Sequence, residues 1–362
     1  MPRISLRRLA LLGVLVPLLV LFLAWQRPGG EELSYYWQLV DGHRQVMVDR
    51  RPVAELLEEG GVDAGLRERL ALSQRLRDFS VAELHLPDNA SYRSYTDLGR
   101  DAVLWNITAV PEFSLDPHRW CYPVVGCQSY RAYFDPQAAR AQAAAMAEQG
   151  YDVRVNPVTA YSTLGRFPDP LLNTMIRREE PRLADVLFHE LAHQQVYIRG
   201  DTAFNEGYAT FVGHQGVRLW LEQTGQTERI RAFEARQERA ARFRGLLAET
   251  RERLAFLYRS GLPEALMRIE KAVILAGLQR RFRESVAEDP EMAAWESWFD
   301  RPVNNARLAG VATYHEWVPA FAALYEQQDR DMARFHQAVA RLGEKDDESR
   351  RERMRGLRER AR

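Results

Sequence analysis

Lysine is almost missing from this chain of 362 residues: Lys271 and Lys345 are the only two, and arginine supplies the rest of the 50 Lys+Arg. The 50 Asp+Glu cancel that charge to a formal net of zero. Without net charge there is no overall field to gather a polyanion, so nucleic acid is disfavoured as a partner. Cysteine is as scarce, with only Cys121 and Cys127. Two cysteines cannot by themselves complete a four-ligand structural zinc site. They lie close together in WCYPVVGCQSY, where Pro123 and Gly126 can turn the chain, and in an oxidising compartment they are expected to pair. Closing so short a loop stabilises by about 2 kcal/mol. There is no internal repeat and no Ser/Gly-rich linker, so composition does not divide the chain, and the length allows one large domain or two small ones.

Charge is also missing from Leu9 to Trp25, an apolar run behind Arg3, Arg7 and Arg8. As a helix this run reaches about 25 Å, the short end of what spans a bilayer. Ala24 lies between Leu23 and bulky Trp25, so no small-residue cleavage site stands out there, and an uncleaved anchor is expected. The flanking arginines place the N-terminus in the cytoplasm and the remaining chain outside. The expected location is the bacterial cell envelope, facing the periplasm, anchored in the inner membrane by residues 9–25.

What is present first is helix. From Tyr35 to Asp78 apolar residues recur at helical spacing, with breaks at RRP and EEGGVD, and predict a helical hairpin near the membrane. From Leu86 to Thr163 the pattern changes to the short strands AVLWNITAV, YRAYF and YDVRVNPVTAYSTLG. Between the last two, PQAARAQAAAMAEQG opens with Pro and ends with Gly, as a helix does. From Pro181 onward the reading is helical. Residues 227–259 and 263–288 predict two long antiparallel helices, and EKDDESRRERMRGLRERAR predicts a frayed charged tail. The fold class is therefore mostly α with a small mixed β-sheet (α+β), including a long helical hairpin.

The chemistry gathers in FHELAHQQVYIRGDTAFNEGYATFVG, residues 188–213. His189 and His193 are four residues apart, so in a helix both imidazoles leave one face and can share a metal ion. Glu190 is rotated by about 100° from His189, where its carboxylate can reach a water rather than the metal. Such a zinc ion, held by three protein groups, lowers the pKa of a bound water to about 7. The helix is expected to end near Gly200 and Asp201, after which a second helix carries Glu206 in its first turn, and a tight reversal returns Glu206 to the histidines. Asp201 is expected to cap that turn, while His214 stands on a similar face farther along. Asp185, one turn before His189, is a candidate to orient a histidine.

The phrases HELAH and NEGYA resemble the zinc motif of the gluzincin metallopeptidases, in which the second phrase supplies a glutamate ligand. More closely, the chain resembles the bacterial family of predicted aminopeptidases. The shared blocks are YYWQLVDGH, LPDNASYRSYTDLGR, WCYPVVGCQSYRAYF, YSTLGRFPDPLLNTM, the zinc motif, and NNARLAGVATYHEWVPAF. The resemblance implies a zincin-like pair of active-site helices and a Zn2+ cofactor held by His189, His193 and Glu206. It also implies Glu190 as general base, a peptide substrate, and aminopeptidase activity. The domain organisation expected is a signal or anchor segment over 1–30, one zincin-like metallopeptidase domain with helical additions over 31–345, and a charged tail over 346–362. Tyr314 and Arg307, within the last block, are candidates to stabilise the oxyanion or line the site, as are Tyr161 and Arg131.

Two departures matter. No Cys follows the apolar run, so a lipid anchor is not supported, and Arg166 replaces the family's aromatic after YSTLG. The Gly-x-Met-Glu-Asn element of the well-known gluzincin aminopeptidases is also absent. Glu179 and Glu180 precede the zinc motif in its place and read equally as a solvated cluster. The alternatives that stay open are an endopeptidase of narrow specificity and a catalytically silent envelope scaffold with a structural metal. Sequence leaves the oligomeric state undefined.

Overall fold

The computed structural model describes residues 30–360 except 123–125, 161, 314 and 315. The apolar run 9–25, Tyr161 and Tyr314 lie outside the described residues. Among those described, no helix is long and apolar enough to cross a membrane.

Helix α1 (Gly30–Val48) leads into β1 (Arg51–Pro52), α2 (Val53–Glu58) and α3 (Ala64–Ala82). Asp63 starts α3 by accepting the Leu66 N–H at 3.0 Å. Strands β2 (Ser94–Thr96), β3 (Leu104–Pro111), β4 (Trp120–Tyr122), β5 (Gly126–Gln128) and β6 (Arg131–Tyr133) follow. Then come α4 (Pro136–Glu148), β7 (Tyr151–Val158), β8 (Leu171–Leu172) and α5 (Asn173–Ile176). The remainder is helical: α6 (Glu180–Gln195), α7 (Thr202–Gln223), α8 (Thr227–Tyr258), α9 (Glu264–Glu288), a 3-10 segment (Pro290–Phe299), α10 (Asn305–Thr313), α11 (Val318–Glu326), α12 (Met332–Gly343) and α13 (Asp347–Arg360). The chain is mostly helical with small sheets, an α+β arrangement.

Sheet order is β1-β2-β8, β6-β3-β7 and the hairpin β4-β5. In the hairpin Cys121 stands opposite Cys127, and the two form a disulfide. Strand β3 pairs antiparallel with β6 and β7, which leaves β7 at an edge of its sheet. The expected helical hairpin over Tyr35–Asp78 is interrupted by β1, whose Arg51 pairs with Tyr95 of β2.

The main core packs Leu76 and Phe79 of α3 against Leu187 and Phe188 of α6, Tyr208 and Val212 of α7, and Phe321 and Phe335 of α11 and α12. A separate cluster joins Phe243, Leu247 and Leu254 of α8 to Ile274, Leu278 and Phe282 of α9. These two long helices run antiparallel, since Arg239 meets Asp289 near one end and Arg281 meets Glu249 and Thr250 farther along.

Two expectations need correction. The charged C-terminus is helix α13 rather than a frayed tail, because Met354 and Leu357 are buried and Arg350 donates to Asp201 at 2.9 Å. Helix α6 ends at Gln195, not near Gly200, because Val196 turns extended (φ −139°, ψ 126°) and is buried in the core.

The same core holds His336, whose Nε2–H donates to the Leu84 carbonyl at 2.8 Å while its Nδ1 accepts from the Tyr208 hydroxyl at 2.8 Å. A carbonyl only accepts, so the contact fixes the neutral tautomer. Burial pulls His336 down from 6.5 to about 4, opposed by the Leu84 carbonyl and aided by His85. Between those values the unfolded chain binds a proton that the folded chain refuses. Stability is therefore expected to fall as the pH drops from 6.5 to 4, by at most about 1.4 kcal/mol per unit from this group. Urea midpoints measured across that window check it: His336→Gln should be less stable at pH 7 and should lose this part of the slope.

Candidate metal centre

Helices α6 and α7 lie side by side and antiparallel, in contact at three levels. Glu206 meets His189 and His193, Gly213 meets Asp185, and the Trp220 indole N–H donates to Glu180 at 2.8 Å. Those α7 positions are seven residues apart, about two helical turns, and so share one face. Close approach needs glycine. A Cβ on Gly213 would lie 2.5 Å from Asp185 Oδ1 and 3.0 Å from its carbonyl oxygen, and one on Gly216 would lie 2.6 Å from the Phe188 ring.

Each residue of Asn-Glu-Gly-Tyr has a separate task. Asn205 holds the turn between the helices: its Oδ1 accepts Ile198 N–H at 2.8 Å and its Nδ2 donates to Ile198 O at 2.7 Å. Glu206 faces the histidines. Gly207 leaves room for Trp317 and Phe321, and Tyr208 is anchored to His336. Asp201 is not in the cluster: it caps α7 through Phe204 N–H at 3.1 Å and pairs with buried Arg350.

His189 Nε2 and His193 Nε2 are 3.2 Å apart. Glu206 places Oε2 3.4 Å from the first and Oε1 3.7 Å from the second. A tetrahedral ion with bonds of about 2.1 Å sets its ligand atoms about 3.4 Å apart, close to these three separations. Glu206 Oε2 is buried without a hydrogen-bond partner, the state of an atom suited to a cation. The three residues thus form a group that could hold a metal ion.

Burial and neighbouring charges oppose one another within this group. Burial alone would lower His189, but its contact with Glu206 and the charges of Glu190, Glu206 and Asp185 raise it instead. Burial and the His189 charge lower His193 to about 4. Burial would raise Glu206, yet the two histidines bring it below the usual carboxylate range. Glu190 is pushed up to about 7 by burial, with His189 opposing and Glu206 and Asp169 adding.

The other predicted residues have partners of their own. Arg307 donates to the carbonyls of Arg301, Pro302 and Trp298 and lies over the Trp298 ring, so it holds a turn. Arg131 stacks on Tyr35, with its guanidinium 3.8 Å from the ring centroid. Glu180 is occupied by Trp220 and Arg229 at the far end of α6 from the histidines. Asp185 packs on Gly213 of α7. His214 lies against Phe233, in the fields of Asp185 and His189.

Three residues that the sequence did not single out share the electrostatic field of the group. Tyr130 and Tyr197 both feel the charge of Glu206, and after burial this charge pushes Tyr130 up to about 12, although 37% of its surface is open. Asp169, buried and close enough to Glu190 to raise it, accepts from Thr163 N–H, Thr163 Oγ1 and Ser162 Oγ and so fastens the loop 162–166. Tyr130 adjoins Arg131 in WCYPVVGCQSYRAYF, but no spacing distinguishes its role.

Comparison with known proteins supplies a family. Residues 34–354 match the family model described as "Putative aminopeptidase", and the chain belongs to that family. No curated protein and no solved structure matches it.

If Asn205 closes the turn, Asn205→Ala should lose about 1–3 kcal/mol of stability through the unpaired groups at Ile198. Asn205→Asp keeps only the acceptor and should fall between the two. Urea denaturation of the three proteins decides; equal midpoints for Asn205→Ala and the parent would reject this role.

Proposed function

With family membership as the premise, we propose that the chain is a zinc-dependent aminopeptidase of the gluzincin type. The observation that supports it most is the convergence of His189 Nε2, His193 Nε2 and the Glu206 carboxylate at separations of 3.2 to 3.7 Å, with Glu190 adjoining His189 on the same helix. Two imidazoles and one carboxylate are the donor set of a hydrolytic zinc site that keeps a position open. When bound, zinc supplies Lewis acidity toward a carbonyl and makes water more acidic.

The chain's residues do the rest. His189, His193 and Glu206 hold the ion. Glu190 takes a proton from the attacking water as its oxygen bonds to the peptide carbonyl carbon. When the C–N bond breaks, Glu190 passes that proton to the leaving amine. Tyr130 is assigned to donate from its hydroxyl to the developing oxyanion, a role for which it keeps its proton at neutral pH. The Cys121–Cys127 disulfide suits an oxidising compartment, and the apolar run 9–25 supports a place at the inner membrane facing the periplasm.

Full-length protein purified in detergent should contain about one zinc per chain by elemental analysis, and a chelator should abolish peptide hydrolysis. Glu190→Gln should retain zinc and lose at least about a hundredfold in kcat, the scale of a positioned acid–base group. Equal turnover by parent and Glu190→Gln, or a zinc-free parent, would reject the mechanism.

Exopeptidase action is checked separately. Acetylating the N-terminus of a good peptide substrate should stop its cleavage; undiminished cleavage would rule out an aminopeptidase.

A further inference from the structure

A cleft of about 710 Å³ opens between the N-terminal half of α6, the first turns of α8 and the 3-10 segment. Its lining includes five arginines, of which two are neutralised: Arg229 pairs with Glu180, and Arg239 with Asp289 and Glu291. The other three are not. Among the described residues, Arg178, Arg182 and Arg236 have no carboxylate within ion-pair distance. Arg178 donates to Thr159 Oγ1 at 2.6 Å, and Arg236 lies 5.9 Å from the Trp295 ring centroid. The neighbouring carboxylate of Asp185 has its Oδ1 turned toward Gly213 of α7.

Three guanidinium groups without an ion-pair partner in one cleft give it a positive field that favours an anion. Burial lowers Arg178 and Arg236, and in both the charge of Arg182 lowers them further, which shows that the three share one field. Glu179 and Asp185 offset this only in part. The floor contains the rings of Phe233 and Trp295, which can cover the apolar part of a ligand while guanidinium groups take its carboxylate.

Position relates this cleft to the metal centre. Arg182, Val186, His189 and His193 follow at steps of four, three and four residues, so they form one face of α6. Arg182 precedes His189 by seven residues, about 10 Å along the helix axis. An extended peptide spans the same length in about three residues.

We propose that this cleft binds an acidic side chain of the peptide substrate, about three residues beyond the bond that is cut, on its C-terminal side. The proposal rests on the aminopeptidase reading, in which only one residue lies on the N-terminal side of that bond, so the reach to the cleft must come from the other side. The enzyme then selects peptides with Asp or Glu near the fourth residue, and Arg182 and Arg236 set that preference through charge-assisted pairs.

The test uses full-length Glu190→Gln protein loaded with zinc, so that binding is read without turnover and does not depend on whether the parent hydrolyses peptides. Fluorescent hexapeptides identical except for Glu, Gln or Lys at the fourth residue are titrated by anisotropy at low salt. The Glu peptide should bind at least fivefold tighter than the Gln peptide, with the difference shrinking as salt is added. In the added double substitution Arg182→Gln/Arg236→Gln, both positions being exposed, the preference should fall below twofold while the Gln peptide binds as before. Arg182→Glu should move the preference toward the Lys peptide. Equal binding of the Glu and Gln peptides, binding of neither, or a preference that survives the double substitution would overturn the proposal.

Discussion

The close antiparallel contact of α6 and α7 is the constraint on which the rest depends. The three potential ligand atoms come from two helices joined by a short turn, and they converge only if the helix axes come unusually near. Gly213 and Gly216 allow that approach, at a cost of about 0.5–1 kcal/mol each relative to alanine in a helix. Burial of Leu187, Phe188, Leu191, Val212 and Val217 around the contact offsets it. Asn205 then fixes the turn, and Trp220 with Glu180 fixes the far end. A carboxylate that would otherwise repel burial is thereby held against two imidazoles.

Arginine, so dominant in the composition, frames this pair from outside. Arg77 is completely buried and donates to the carbonyls of Pro87, Asn89 and Ser91 and to Ser80 Oγ. The loop it holds sends Asn89 Nδ2 to Gln194 Oε1 at 2.8 Å, directly after His193. On the other side, Arg350 from α13 reaches Asp201 at the start of α7. The planar five-donor guanidinium can satisfy several carbonyls or a carboxylate at once, which makes such burial tolerable where an unpaired charge would not be. The segments before α6 and after α7 are therefore tied down by charge-assisted bonds rather than by apolar packing alone.

Much of the architecture was legible because its signals are periodic. Apolar spacing located α8 and α9, and an opening Pro136 with a closing Gly150 marked α4, whose cap Asp135 only the structure showed. The disulfide followed from two cysteines in one hairpin. Other features carried no local signal. Helix α13 has only Met354 and Leu357 to bury among many charges, and its partner Asp201 is distant in sequence. The end of α6 was misplaced because Val196 leaves the helix to fill the core. Arg131 and Arg307 looked available in their blocks, yet aromatic rings engage Arg131 and carbonyls with a ring engage Arg307, whereas the neighbouring Tyr130 feels the charge of Glu206.

By itself the sequence determined which atoms are on offer: two histidines on one helical face, an adjoining glutamate, and a second glutamate soon after. Helix periodicity is local, so it is written in residue spacing. Which distant acid meets the histidines is not local. Spacing and resemblance favoured Glu206 over Asp201, and the packed structure supplied the partners that hold each: the Phe204 N–H and the unforeseen Arg350 for Asp201, and the two imidazoles for Glu206. The arginine-lined cleft was decided in the same way, because its walls come from α6, α8 and the 3-10 segment. Whether a charge is paired depends on neighbours that only tertiary packing supplies.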